Sequence, residues 1–288
     1  MAFAFASCQS DTKEKVNKIE QLEQELLSNP SKENRDSLIV AYQTFIKRYP
    51  ENSKTNVNYY NQIADLQLKN KAFSEAVNSL MTGIKQYPSA SAALVWSLQN
   101  IYEKYIRNSL VSNIIKKLYL AKYPEAIHSA AVKEVVKNDT ASIAEHILAL
   151  SSSMYNENTH QVDFQTANDY IKICELYALL KPNDAKSPDY LYHAGETARA
   201  IRSFPKAIQI YNWIKEAFPQ YDKLSQVLFL KAFTYDNDLE NKTKAKSLYE
   251  EFLRKYPEDD FADDTQFLLE NLGKDDEEII KEFSKQQD

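Results

Sequence analysis

The residues that could do chemistry in this chain are few and poorly spaced for it. The four histidines are His128, His146, His160 and His193. No two of them are four apart, the spacing that would present two imidazoles to one zinc ion from a helical face. The nearest approach to an acid–base or metal set is His160 with Asp163 and Asp169, in or beside a polar stretch. A histidine so placed is more often solvated than catalytic. Cys174 lies in Ile171-Lys172-Ile173-Cys174-Glu175-Leu176-Tyr177 with no histidine in local reach, so no activated thiolate can be argued from spacing. Its amphipathic surroundings predict a buried free thiol. Asp259-Asp260 and Asp263-Asp264 gather carboxylates but lack the glycine that turns an EF-hand loop. The reading is a non-enzyme with no catalytic residues, no metal and no cofactor.

Composition agrees. The chain has 288 residues, 43% apolar and 26% charged, with a net charge of −6. It holds only three glycines, Gly83, Gly195 and Gly273. Phosphate-cradling loops need more glycine than this, and so do the turns of an all-β fold. Nine prolines and 12% aromatic residues, heavy in tyrosine, point instead to helices stopped by proline. The mild acidity argues against a nucleic-acid partner, which would meet a basic face. The acid is concentrated at one end, where Glu258 to Asp288 carries twelve acids and three bases. That end reads as a polar terminal cap, or as a contact surface for a basic partner.

The other end is apolar. Met1-Ala2-Phe3-Ala4-Phe5-Ala6-Ser7 carries no charge and precedes Cys8. Apolar residues, then Ala-Ser, then Cys resembles the lipobox of bacterial lipoproteins, which implies acylation of Cys8. A secretory signal has a basic n-region and an apolar stretch of about 7–15 residues. Only seven residues precede Cys8, so residues 1–8 read as the remnant of such a signal. No other stretch reaches the ~20 apolar residues of a membrane span, so membrane contact is expected through this lipid alone.

An internal period emerges when the aromatic–proline pairs are aligned. They are Tyr49-Pro50, Tyr87-Pro88, Tyr123-Pro124, Phe218-Pro219 and Tyr256-Pro257, with Lys181-Pro182 at a matching place. Successive prolines stand 38, 36, 58, 37 and 38 residues apart. Tyr42, Phe45 and Tyr49 recur in spacing as Tyr249, Phe252 and Tyr256, and as Tyr211, Ile214 and Phe218. Steps of three and four put them on one helical face. Proline cannot continue a helix and disfavours helical geometry in the residue before it. A second helix lies upstream of each stop, joined by turns such as Ser203-Phe204-Pro205.

A helix pair with small residues at the crossing and a closing proline resembles the tetratricopeptide repeat. In the copy ending at Pro219, Leu191, Ala194, Gly195 and Ala198 take the first-helix places, with Ala207 and Tyr211 on the second helix. Ala245 and Tyr249 hold the latter places in the copy ending at Pro257, and Ala76 and Leu80 in the copy ending at Pro88. The copies ending at Pro50 and Pro124 keep the aromatic stop but lack that pair, and the period exceeds the family's 34 residues. The resemblance implies an all-α, right-handed superhelical solenoid of antiparallel helix pairs. One pair cannot bury its apolar face alone, so neighbours stack.

The family's positions also imply a groove built from first helices. Asn58, Asn61 and Asp65 take its inward places in one copy, and Asp189, Tyr192, Glu196 and Arg199 in another. The protein-binding residues expected are Asn58, Asn61, Tyr192, Glu196 and Arg199, with a protein or extended peptide as partner. The Lys/Asn pattern with which some members grip a carboxylate end does not recur. With Cys8, the repeats are similar to those of bacterial envelope lipoproteins, which implies a lipid-anchored scaffold at the outer membrane facing the periplasm. The alternative is a cytoplasmic adaptor with no anchor.

Along the chain the expected order is an N-terminal helix over 13–28 and repeats over 31–155 with an irregular helical insertion at 125–155. Repeats resume over 156–272, and an acidic capping helix follows over 273–288, with Gly273 ending the helix before it.

Overall fold

The computed structural model describes residues 2–156, 161–274 and 277–278, with side chains from residue 13 onward. Its residues divide into two compact units, Met1–Ile147 and Leu148–Asp288. The first contains α1 (Ala2–Ser28), α2 (Lys32–Arg48), α3 (Ser53–Lys69), α4 (Phe73–Gln86), α5 (Ala92–Ile101), α6 (Ser109–Lys122) and α7 (Ser129–Val136). The division falls within α8 (Ile143–Ser152). The second unit contains α9 (Phe164–Leu180), α10 (Ser187–Ala200), α11 (Phe204–Ala217), α12 (Leu224–Phe233), α13 (Lys242–Lys255) and α14 (Ala262–Glu270). Within each unit every repeat helix packs on the next in the chain. This is the all-α architecture of stacked helix pairs that the period predicts.

The proline stops share one backbone geometry. Tyr49, Tyr87, Tyr123, Lys181, Phe218 and Tyr256 each sit at a helix C-cap with φ between −127° and −132° and ψ between 55° and 62°. Each still donates its N–H to the carbonyl four residues back. The following proline disfavours αR at these residues, so the chain leaves the helix at the same angle each time. In the first unit the tyrosines also tie neighbouring repeats together. The Tyr87 hydroxyl donates to the Pro50 carbonyl (2.9 Å) and the Tyr123 hydroxyl lies 3.1 Å from that of Pro88.

The turn between first and second helices is equally uniform. Lys71, Arg107, Arg202 and Glu240 stand there with φ of 59°, 60°, 61° and 50°. A left-handed residue closing a helix is normally glycine, and this glycine-poor chain uses charged residues instead. Two first helices end irregularly. α5 and α12 each run into a π-helical turn, Tyr102–Ile106 and Thr234–Asp238. Such a π turn is a single wide turn at the end of the helix.

Core packing follows the expected register. Tyr249, Phe252, Ala245 and Ala232 are fully buried, with Leu268, Leu269 and Leu272 packed beside them. Gly195 allows a close crossing: a Cβ there would lie 2.4 Å from the Tyr211 ring. Gly83 does the same against Tyr60 and Leu94. The copy ending at Pro124 replaces the small–aromatic pair by Ser112 and Lys116, and a polar set fills the space. Lys116 donates to Glu103 (2.7 Å), and Gln99 donates to Glu103 (2.6 Å) and Ser112 (3.0 Å).

Three expectations need correction. The N-terminal helix is not confined to 13–28, because α1 begins at Ala2. No proline or glycine interrupts the residues before Lys13, so nothing stops the helix there. The polar stretch after α8 is not merely a break: Tyr155-Asn156 pairs antiparallel with Gln161-Val162. The expected helix end at Gly273 sits at φ +89°, the left-handed geometry it was assigned, but α14 itself stops at Glu270 and a turn bridges the gap. Of the acidic capping helix, residues 275–276 and 279–288 lie outside the described residues.

Candidate first-helix binding groove

The C-terminal half of α10 borders a polar cleft of the second unit. Leu191, Ala194, Gly195 and Ala198 are buried and face the core. Tyr192, Glu196 and Arg199 therefore fall on another face of the same helix, at steps of four and three. Glu196 and Arg199, with Arg202, Tyr211 and Asp238, line a cleft of about 430 Å³, and Tyr192 stands outside that lining on the same helix.

The cations there are held in place. Arg199 donates from Nε to Asp238 Oδ2 at 2.6 Å and lies 4.7 Å over the Phe233 ring. A guanidinium fixed by a carboxylate and an aromatic face keeps other N–H groups for a ligand. Lys223 stands 5.4 Å over the Tyr192 ring and donates to Asp189 (3.0 Å), which also accepts from the Tyr221 hydroxyl (2.7 Å). Burial would raise the Asp189 carboxyl, but these two hydrogen bonds outweigh it and hold the group below its ordinary value. Burial, with the Glu196 carboxylate second, pushes the Tyr192 phenol up to about 12. The Tyr211 phenol is also raised by burial, and its buried hydroxyl has no hydrogen-bond partner among the described residues. Both phenols are thus hydrogen-bond donors at neutral pH. Glu196 is exposed and pairs with the half-exposed His193 ring at 2.9 Å.

Asn58 and Asn61 lie on α3 in the first unit. Asn58 is exposed. Asn61 is half-buried, and its buried side-chain oxygen lacks a hydrogen-bond partner among the described residues. The structure thus brings Tyr192, Glu196 and Arg199 together on one helix and places the two asparagines on another. The backbone of Cys8 is helical within α1, and its side chain lies outside the described residues.

Sequence reasoning missed Asp238, which lines this cleft, and Phe233 and Lys223, which meet Arg199 and Tyr192. A signal for one of them exists: Asp238 follows Arg199 by 39 residues, close to one period, with opposite charge. The same pattern yields Lys215 with Glu251, 36 residues apart, at 3.0 Å.

The groups weighed for chemistry have other employment. Cys174 is fully buried and free, and burial pushes its thiol up, away from the thiolate. Asp163 caps α9 by accepting from the Thr166 N–H at 2.6 Å. Asp169 is buried and accepts from Gln165, and His160 lies outside the described residues. Asp263 and Asp264 occupy the first turn of α14, where the helix dipole favours acids. Among the described residues no group of three or more His, Cys, Asp or Glu could hold a metal ion. Nor, among them, is any helix long and apolar enough to cross a membrane.

The sequence profile of the tetratricopeptide repeat family matches residues 226–259, which span most of α12, its π turn and all of α13. The chain carries a tetratricopeptide repeat. No curated protein matches the chain in sequence. Among solved structures it is similar to the TPR2AB-domain:pHSP90-complex of yeast Sti1, at 13% identity and a TM-score of 0.34. That alignment covers 92% of this chain and 100% of the other. Likeness at that level leaves the groove to be read from this chain's own residues. The tetratricopeptide match ends two residues beyond Pro257, so the aromatic–proline stop belongs to the repeat.

Proposed function

We propose that this protein is a non-enzymatic scaffold that binds a protein or extended peptide along its first helices. Tyr192, Glu196 and Arg199 make the contacts in the second unit, and Asn58 and Asn61 in the first. The observation that carries this reading is the α10 face. Its side chains are left out of the core, yet Arg199 is pre-set by Asp238 and Phe233 rather than free in solvent. Pre-set donors lose less entropy on binding, and Tyr and Arg are enriched among binding hot spots.

The anchor and the compartment are part of the proposal. Phe5-Ala6-Ser7-Cys8 supports a lipid on Cys8 and a place in the cell envelope, at the outer membrane facing the periplasm. The cytoplasmic adaptor without an anchor is the competing reading. Intact-mass measurement on native protein separates them: two or more acyl chains on Cys8 are expected, because one gives only marginal membrane binding. An unmodified Cys8 with Met1 attached contradicts the anchor.

The groove is tested by placing a photo-crosslinking residue at Glu196, at Asn58 or, as control, at exposed Gln209 on α11. The same partner is expected from the first two positions and none from the third. Crosslinking from Gln209 alone contradicts the groove.

A further inference from the structure

A second cleft of the C-terminal unit opens where α11, α12 and α13 meet, with a volume of about 350 Å³. Tyr211 borders it as well as the α10 cleft, and the two share no other lining residue. Its walls are apolar: Val227 and Leu228 are buried, with Pro219, Leu224 and Tyr256 around them. Its polar members are Lys215, Lys231, Lys255 and Glu251.

The charges do not balance. Glu251 Oε1 accepts from Lys255 at 2.6 Å and from Lys215 at 3.0 Å. One carboxylate oxygen is thereby shared by two ammonium groups. Lys231 is half-buried beside them and makes no hydrogen bond or ion pair among the described residues. Burial lowers its ammonium first, and Lys215 and Lys244 push the same way, while Glu251 and Glu216 only partly oppose them. A cation withdrawn from water without a partner is costly, and here it lines an apolar cleft.

We propose that this cleft binds a small amphiphilic monoanion, a carboxylate on an apolar body. The carboxylate pairs with Lys231 and the body lies over Val227, Leu228 and Leu224. The volume suits a body of roughly six to ten carbons, at the small end of ligand pockets. One carboxylate among three ammonium groups leaves room for an anionic head, and the apolar wall rejects a bare, hydrated ion. A fatty acid and the free carboxylate end of an apolar peptide share this chemistry.

The test uses the whole protein with octanoate, acetate, octanamide and acetyl-dileucine, by calorimetry. Octanoate is expected to bind at least tenfold more tightly than acetate or octanamide, and Lys231→Met to weaken it at least tenfold. If acetyl-dileucine binds more tightly than octanoate with the same dependence on Lys231, the natural ligand is a peptide end. Equal binding of octanamide and octanoate, or an unchanged affinity in Lys231→Met, overturns the site. A second reading guards against misfolding of the variant. In the wild-type protein the NMR titration midpoint of the Lys231 side chain is expected to rise when octanoate is added, and an unmoved midpoint likewise overturns the proposal.

Discussion

At the scale of the residue, the fold rests on aromatic rings seated against small neighbours. Tyr249 is fully buried among Ala232, Ala245 and partly buried leucines, and its hydroxyl donates to Asp236 at 3.2 Å. Tyr249→Ala is expected to cost about 3–5 kcal/mol, as large-to-small core changes do. A urea series showing under about 1 kcal/mol would contradict the register. Gly195→Ala tests the same packing from the other side. Its methyl group would meet the Tyr211 ring, so a loss of about 1–3 kcal/mol is expected. These contacts were legible in the sequence because the spacing of Tyr and Ala repeats with the period. Arg199 with Asp238 showed only as opposite charges 39 residues apart, because their registration depends on a π turn that no local pattern announces.

Charge pairs set the acid limit of stability at the same scale. Asp184 is held below its ordinary value, first by the Lys181 ammonium at 2.7 Å. Lys255 and Lys215 do the same for Glu251 against its burial. A carboxyl depressed in the folded state adds stability that is complete above its unfolded value, near 4, and is lost as pH falls through the folded value. Stability is therefore expected to be flat between pH 7 and 5 and to fall below about pH 4. Asp184→Asn should remove about 0.5–1 kcal/mol at neutral pH and flatten part of the acid fall. A variant as stable as the parent at pH 7, with the same acid slope, would show the pair to be inert.

At the scale of the element, helix ends carry more information than helix bodies. Proline acts on the residue before it by steric exclusion alone, so all six stops could be placed from sequence, and all six adopt one geometry. The four left-handed turns could not, because Lys71, Arg107, Arg202 and Glu240 are charged residues like many others in the chain, and none is the glycine that marks such a turn. A non-glycine residue in αL is strained by roughly 1–2 kcal/mol, and glycine gives part of this back as backbone entropy in the unfolded chain. Glu240→Gly is thus expected to stabilise by about 0.5–1 kcal/mol in thermal and urea unfolding. Destabilisation would mean that the Glu240 side chain makes a contact worth more than the strain. The hairpin at Tyr155–Val162 escaped notice for another reason: strands of two residues are too short to show alternation.

At the scale of the whole molecule, two compact stacks of helix pairs come from one chain in which the proline spacing jumps to 58 residues between the fourth and third stops from the C-terminus. That jump was visible as an interruption, and the division of the structure falls within it, at Ile147. Which face of a stack meets a partner is written less plainly, because exposed side chains are free of the packing that makes core positions periodic. The acidic segment from Glu258 onward is the rival surface. Binding there should weaken steeply with salt, since exposed charges are screened over about 8 Å at physiological ionic strength. The most direct measurement is the affinity of the partner crosslinked through Glu196, for the full chain, for Tyr192→Ala/Arg199→Ala and for a chain ending at Gly273, with folding of each checked by circular dichroism. The groove predicts at least a tenfold loss in the double variant and none on truncation, whereas loss on truncation with full binding by the double variant would contradict it and assign the partner to the acidic end.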